Sequence, residues 1–129
     1  MTRSISVVCL LILGAWQQCA WAHHSFAAEF DLQKPIQLHG KISKMEFMNP
    51  HSWIHVEVKN AKGEMEHWEI EGGTPNTLFR KGINQNTVPV GTEVIVDGYQ
   101  SRDGSNHASG RNLTLTDGSK LFIEGSSTP

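Results

Sequence analysis

The sequence predicts a small, mostly β domain with five strands and one short helix. From Ile36 onward, apolar and polar residues alternate with a period of two, which is typical of strands with one buried face. Turn residues, chiefly glycine, asparagine and proline, separate these alternating runs. A helix start signal, Thr74-Pro75, follows the third run.

The first three strands are predicted at 36–43, 52–59 and 66–71. Asn49-Pro50 separates the first from the second, because the residue before a proline is pushed away from helical backbone. Residues 60–63 have the composition of a type I turn with glycine in the left-handed bulge position. The second and third strands are therefore expected to form a hairpin.

That turn also predicts the register of the hairpin. If Asn60 pairs with Glu64, the apolar residues of both strands share the core side, as a half-buried hairpin requires. His55 and His67 then become diagonal neighbours on the outer side, roughly 7 Å apart. The same register predicts two crossed histidine–glutamate pairs, His55 with Glu69 and His67 with Glu57.

Local signals predict the remaining elements. The helix begins after its N-cap, Thr74, with proline at the first position, and ends at Gly82. Two further strands are predicted at 92–99 and 108–115, with a short extension at 121–123.

Three strands, a helix and two strands form the element order of the OB-fold, a five-stranded Greek-key barrel. An open antiparallel β-sandwich is the alternative, because element order alone does not close a barrel. Ligands of OB-folds usually lie on strands two and three, between two loops that here contain Asn49-Pro50-His51 and residues 101–107. The residues expected to contact a ligand there are Asn49, Trp53, Met65 and Tyr99.

Residues 1–22 are predicted to be a cleaved signal peptide. Arg3 supplies the positive start, residues 5–16 are mostly apolar, and Ala20 and Ala22 occupy the positions that a signal peptidase reads. The stretch is too short for a membrane span, and no later segment is apolar enough to be one. We therefore expect a periplasmic or secreted protein without a membrane span after cleavage.

Cleavage after Ala22 divides the mature chain into three parts. These are an N-terminal extension at 23–35, one OB-like barrel domain at 36–124, and a disordered tail at 125–129. Both cysteines lie in the signal peptide. The mature domain is therefore expected to depend on its hydrophobic core rather than on disulfides.

Charge and motifs argue against two classes of function. The chain has 11 lysines and arginines against 13 aspartates and glutamates, whereas nucleic-acid binding depends on basic residues that neutralise phosphates. We therefore expect no nucleic-acid partner. The mature sequence also lacks a cysteine nucleophile, a Gly-x-Ser-x-Gly elbow and a His-Glu-x-x-His motif, which favours a binding protein over an enzyme.

Four short motifs are distributed along the mature chain. They are His23-His24-Ser25, an Asn-Pro-His-x-Trp run at 49–53, a Gly-x-Pro-Asn helix start at 73–76 and an Asp-Gly-Ser turn at 103–105. Together they resemble a family of small exported bacterial proteins that carry a domain of unknown function. The resemblance covers nearly the whole mature chain and implies a periplasmic setting, but it assigns no activity.

The histidines point to metal chemistry. All seven lie in the mature part, which contains no cysteine, and this favours imidazole-type metal or proton chemistry. After cleavage, His23 would offer its α-amino and ring nitrogens to one ion. A third nitrogen from His24 or His51 would complete the T-shaped set that copper(II) favours.

This arrangement resembles the histidine brace of exported copper proteins, and copper(II) at His23 is the sharpest hypothesis. The alternative metal patch consists of His55, His67, Glu57 and Glu69.

The competing hypothesis is an OB-type binding module without metal. The outward Trp53, near Met65 and Tyr99, would then stack on a small organic ligand or a glycan. An envelope protein partner is the third alternative.

Overall fold

The computed structural model describes residues 26–125. None of the helices in this range is long and apolar enough to cross a membrane. The predicted signal peptide, His23, His24 and residues 126–129 lie outside the described part of the chain. One helical turn at residues 26–29 is followed by β1 (Phe30–Glu46), β2 (Trp53–Lys59), β3 (Met65–Glu71), α1 (Pro75–Arg80), β4 (Glu93–Ser101), β5 (His107–Leu115) and β6 (Lys120–Phe122).

The strands close into a ring. β1 pairs antiparallel with β2 and β4, β2 pairs with β3, and β4 pairs with β5. A parallel pairing of β3 with β5 joins the two halves. The predicted mostly β, OB-like barrel is confirmed, and the short β6 adds a sixth strand beside β5.

β1 is longer than predicted and begins at Phe30 rather than Ile36. Its first part pairs with β4 and its last part with β2, so one strand serves both halves of the barrel. The register shifts between Phe30 and Pro35, and again between Ile42 and Lys44. Each irregularity interrupts the two-residue period, and the alternation in the sequence therefore revealed only the regular middle of the strand.

The β2–β3 hairpin has the predicted register. The turn closes with the backbone N–H of Asn60 donating to the carbonyl of Glu64 at 2.9 Å. His55 lies opposite Glu69, and His67 lies opposite Glu57. The inward residues of the hairpin join the barrel core, whose fully buried members include Ile42, Ile54, Val56, Ile70, Val96 and Leu113.

Helix α1 packs on the same core through the buried Leu78. Its start is as predicted, since Thr74 Oγ1 accepts a hydrogen bond from the Thr77 N–H at 3.2 Å and Pro75 occupies the first turn. Phe79, the other large apolar residue of the helix, is half-exposed and packs on Phe47.

Candidate metal-binding face

The outer side of the β2–β3 hairpin collects four of the five histidines in the described range, together with a row of carboxylates. Successive side chains of a strand point to opposite faces, so the polar residues of β2 and β3 share this side. The end of β1 and the start of β5 lie beside it. We call Glu46, His55, Glu57, His67 and Glu69 the hairpin cluster, and Glu29, His51, Glu71 and His107 the rim cluster.

In the hairpin cluster, the two imidazole rings face each other between two carboxylates. His55 Nδ1 lies 3.0 Å from His67 Nε2. The other ring nitrogens contact carboxylates, with His55 Nε2 at 2.8 Å from Glu46 Oε2 and His67 Nδ1 at 2.7 Å from Glu57 Oε1. The result is a continuous chain of four side chains across β1, β2 and β3.

A third carboxylate completes the hairpin cluster. Glu69 offers an oxygen that, with one nitrogen each from His55 and His67, forms a set of atoms within 4.8 Å of one another. His55 is buried, with 9% of its surface exposed, whereas Glu69 and His67 are exposed. His55 therefore lies on the outer side of the hairpin, where Glu46 and His67 cover its ring.

Glu46 reaches this cluster because of the irregularity in β1. The register shift between Ile42 and Lys44 places one extra residue in β1, and the strand continues beside His55. The hydrogen bond from Lys44, followed by that from His55, lowers the pKa of Glu46 below its ordinary value. Glu46 is thus held as a carboxylate that accepts a hydrogen from the His55 ring.

The rim cluster is organised around Glu71, at the end of β3. His51 Nδ1 lies 3.2 Å from Glu71 Oε1, and His107 Nε2 lies 3.8 Å from Glu71 Oε2. On its other side, His107 Nδ1 lies 3.9 Å from Glu29 Oε1. Two histidines that are far apart in the sequence therefore share one carboxylate.

The carboxylates of the rim cluster favour a positive charge at His107. At 3.8 Å, the contact of His107 with Glu71 is an ion pair rather than a hydrogen bond. Glu71 is nevertheless the main cause that raises the pKa of His107, and the charges of Glu29 and Glu69 add to it against the opposing effect of burial. One nitrogen or oxygen each from Glu29, Glu71 and His107 also lies within 4.8 Å of the others.

The barrel closure and the first helical turn assemble the rim cluster. The parallel pairing sets Glu69 opposite His107, at the start of β5. The turn at 26–29 is held to the end of β4, where the Arg102 N–H donates to the Glu29 carbonyl at 2.9 Å. Glu29, from the turn before β1, and His107, from β5, thus meet beside β3.

A row of aromatic rings continues from the rim cluster. His107 lies with its ring centroid 5.2 Å from those of Trp53 and Phe30. Phe30 is 5.3 Å from Phe26, and Phe26 is 6.2 Å from Tyr99. Trp53 and Tyr99 are therefore the two ends of one row rather than two walls of one pocket.

The other predicted ligand contacts are dispersed. Asn49 lies exposed in the bend before β2. Met65 pairs with Lys59 at the turn end of the hairpin, so the length of β2, about 20 Å, separates it from Trp53. Met65 instead lines a groove of about 720 Å³, together with His39 and Glu57.

Sequence reasoning missed His107, Glu29 and Glu46 as site residues. His107 and Glu29 come near β3 only through long-range pairings that leave no local signal. Glu46 did leave a local signal in the sequence. The core residues Ile42 and Met45 are three positions apart instead of two, as expected if a bulge lies between them.

Fold and site together define a small OB-like barrel with a histidine- and carboxylate-rich outer face. A model of a family of unknown function, DUF6152, matches residues 11–111, and the chain belongs to this family. No match to the chain was found among the curated proteins or among the solved structures.

Proposed function

We propose that this chain is an exported metal-binding protein whose N-terminal site takes copper(II). The observation that carries the proposal is that His51 and His107 share the carboxylate of Glu71, next to Glu29. Imidazole nitrogens suit copper(II), which lies near the top of the affinity order of divalent ions.

The position of Glu29 supports a role for the mature terminus. If the signal peptidase cuts after Ala22, His23 becomes the first residue and precedes Glu29 by six residues. Residues 26–29 form a helical turn that rises about 1.5 Å per residue, and the three residues before it span at most about 10 Å when extended. His23 is therefore within reach of the rim cluster, where His51 was the ligand expected from the sequence.

Each residue has a distinct role in this site. The α-amino group and ring of His23 chelate the ion, and a nitrogen of His51 or His107 completes the set. Glu71 faces His51 Nδ1 and leaves His51 Nε2 for the metal, while the two nitrogens of His107 lie between Glu71 and Glu29. A carboxylate that orients a ligating histidine in this way raises metal affinity.

The test is a copper(II) titration of the processed protein and of a version with one extra residue before His23. Intact mass first establishes that the exported protein begins at His23. We expect the extended version to bind at least tenfold more weakly, because its α-amino group is displaced, and His107→Gln to weaken binding as well.

His39→Gln is the matched control, since His39 lies away from the rim cluster and its variant should bind copper(II) like the parent. Equal affinity of the processed and extended versions would contradict the proposed N-terminal site.

A second candidate function is the binding of a small organic ligand or glycan without metal. The partly exposed rings of Trp53 and Tyr99, at the two ends of the aromatic row, favour it, because aromatic faces stack on such ligands. Ligand binding that persists with a chelator and is lost in Trp53→Ala would support this candidate.

A further inference from the structure

We propose that the hairpin cluster is a second metal site, independent of the mature N-terminus. In this site His55, His67 and Glu69 bind one zinc(II) ion, while Glu46 and Glu57 orient the two rings. The site lies wholly on β1, β2 and β3 and shares no ligand with the copper(II) site proposed above.

The hydrogen-bond arrangement leaves a place for a cation between the rings. A carboxylate only accepts hydrogen bonds, so His55 donates from Nε2 to Glu46 and His67 donates from Nδ1 to Glu57. The remaining nitrogens, His55 Nδ1 and His67 Nε2, then present lone pairs to each other across 3.0 Å. Two lone pairs at this distance repel unless a proton or a metal ion lies between them.

The distances suit a tetrahedral ion. Two nitrogens bound to zinc at about 2.1 Å are about 3.4 Å apart. The observed 3.0 Å separation therefore needs to open by only a few tenths of an ångström. Glu69 supplies the third ligand within 4.8 Å and is exposed, so its side chain can turn toward the ion.

The carboxylates distinguish a metal from a single shared proton. A proton would bridge the two rings only, whereas a dication would also use the oxygen that Glu69 offers within 4.8 Å. Glu46 and Glu57 also occupy the positions typical of carboxylates that orient ligating histidines. Each accepts a hydrogen bond from the ring nitrogen that does not face the metal. Two histidines and one glutamate with an open fourth position form a known zinc donor set.

The exposure of His67 and Glu69 leaves the fourth position to water. A site that is open on one side admits and releases an ion more readily than a closed structural site. The hairpin cluster is therefore suited to reversible zinc binding on the outer face of the barrel.

The experiment is a calorimetric zinc(II) titration of the version with one extra residue before His23, which removes the proposed terminal chelate. We compare it with the same chain carrying His67→Gln or Glu57→Gln. His67→Gln should abolish one zinc-binding event or weaken it at least tenfold. Glu57→Gln should weaken it about 10- to 100-fold while keeping the ligands.

Two matched controls accompany these variants. Glu64→Gln makes the same charge change on the same hairpin outside the cluster, and His39→Gln removes a histidine of β1 that belongs to neither cluster. Both should bind zinc like their parent. Imidazole NMR signals of His55 and His67 should shift on zinc addition, which locates the ion directly.

The proposal is overturned if the parent binds no zinc, if His67→Gln binds it unchanged, or if the signals of His55 and His67 do not move. The N-terminal proposal is tested by copper(II) and by the extra residue, neither of which touches this cluster. Failure of one site is therefore distinguishable from failure of the other.

Discussion

At the scale of single residues, carboxylates set the orientation of the histidines. Glu46 and Glu57 each hold one ring of the hairpin cluster, and Glu71 faces His51 and His107 at once. A histidine with one nitrogen held in this way presents the other nitrogen in a defined direction. The glutamates are therefore as important to the proposed chemistry as the histidines.

A carboxylate outside both clusters gives a residue-scale prediction about acid stability. Asp103 accepts hydrogen bonds from the Ser101 hydroxyl and from Ser105, and these lower its pKa from 3.8 to about 2. Because the pKa is depressed in the folded state, the stabilisation is fully present above pH 3.8 and is lost as the pH falls through about 2.

The measurement is urea unfolding of the parent and of Asp103→Asn at pH 5 and pH 2. The parent should be more stable than the variant at pH 5, and the difference should shrink at pH 2. A difference that is the same at both pH values would show that the charge of Asp103 does not stabilise the fold.

At the scale of elements, close backbone approach between β4 and β5 keeps the barrel ring tight. Gly98 lies opposite Gly110, directly after a register shift at Asp97. A Cβ on Gly98 would collide with the backbone carbonyl of Ser109, and one on Gly110 would lie 2.7 Å from Ile70 Cγ2. Both positions therefore require glycine because of space.

We expect Gly98→Ala to destabilise the protein by about 1–3 kcal/mol, because the Ser109 carbonyl belongs to a paired strand and cannot move aside cheaply. Thr116→Ala, in the exposed turn that follows β5, is the control and should change stability by no more than about 0.5 kcal/mol. Urea unfolding midpoints measure both. An unchanged midpoint for Gly98→Ala would mean that β4 and β5 can separate without cost.

The elements also show which structural features local sequence patterns can predict. The turn at residues 60–63 predicted the β2–β3 register, and with it the neighbours of His55 and His67, because a tight turn and a buried face together allow only one pairing. The full extent of β1 was not predictable in this way. Its bulges shift the side-chain period where the strand passes from β4 to β2.

At the scale of the whole molecule, barrel closure assembles both clusters from distant segments. The hairpin cluster needs β1 beside β2, and the rim cluster needs β5 beside β3. An unfolded chain does not hold these side chains together. Metal binding at either cluster should therefore favour the folded state.

This linkage predicts a zinc-dependent stability. At a free zinc concentration 100 times the dissociation constant of the hairpin cluster, the free energy of unfolding should rise by about 2.7 kcal/mol. His67→Gln should lose this increment while keeping any contribution from the rim cluster. Chemical unfolding with and without zinc measures the difference, and equal zinc effects in both proteins would contradict it.

The sequence by itself determined the strand alternation, the hairpin register, the helix cap and hence the order of elements, because each depends on residues close together in the chain. Only the tertiary structure decided that His107 and Glu29 meet Glu71 and that Glu46 covers His55. These contacts come from pairings between distant strands and from a bulge in β1. Local periodicity does not encode such pairings, since they depend on how the whole ring closes.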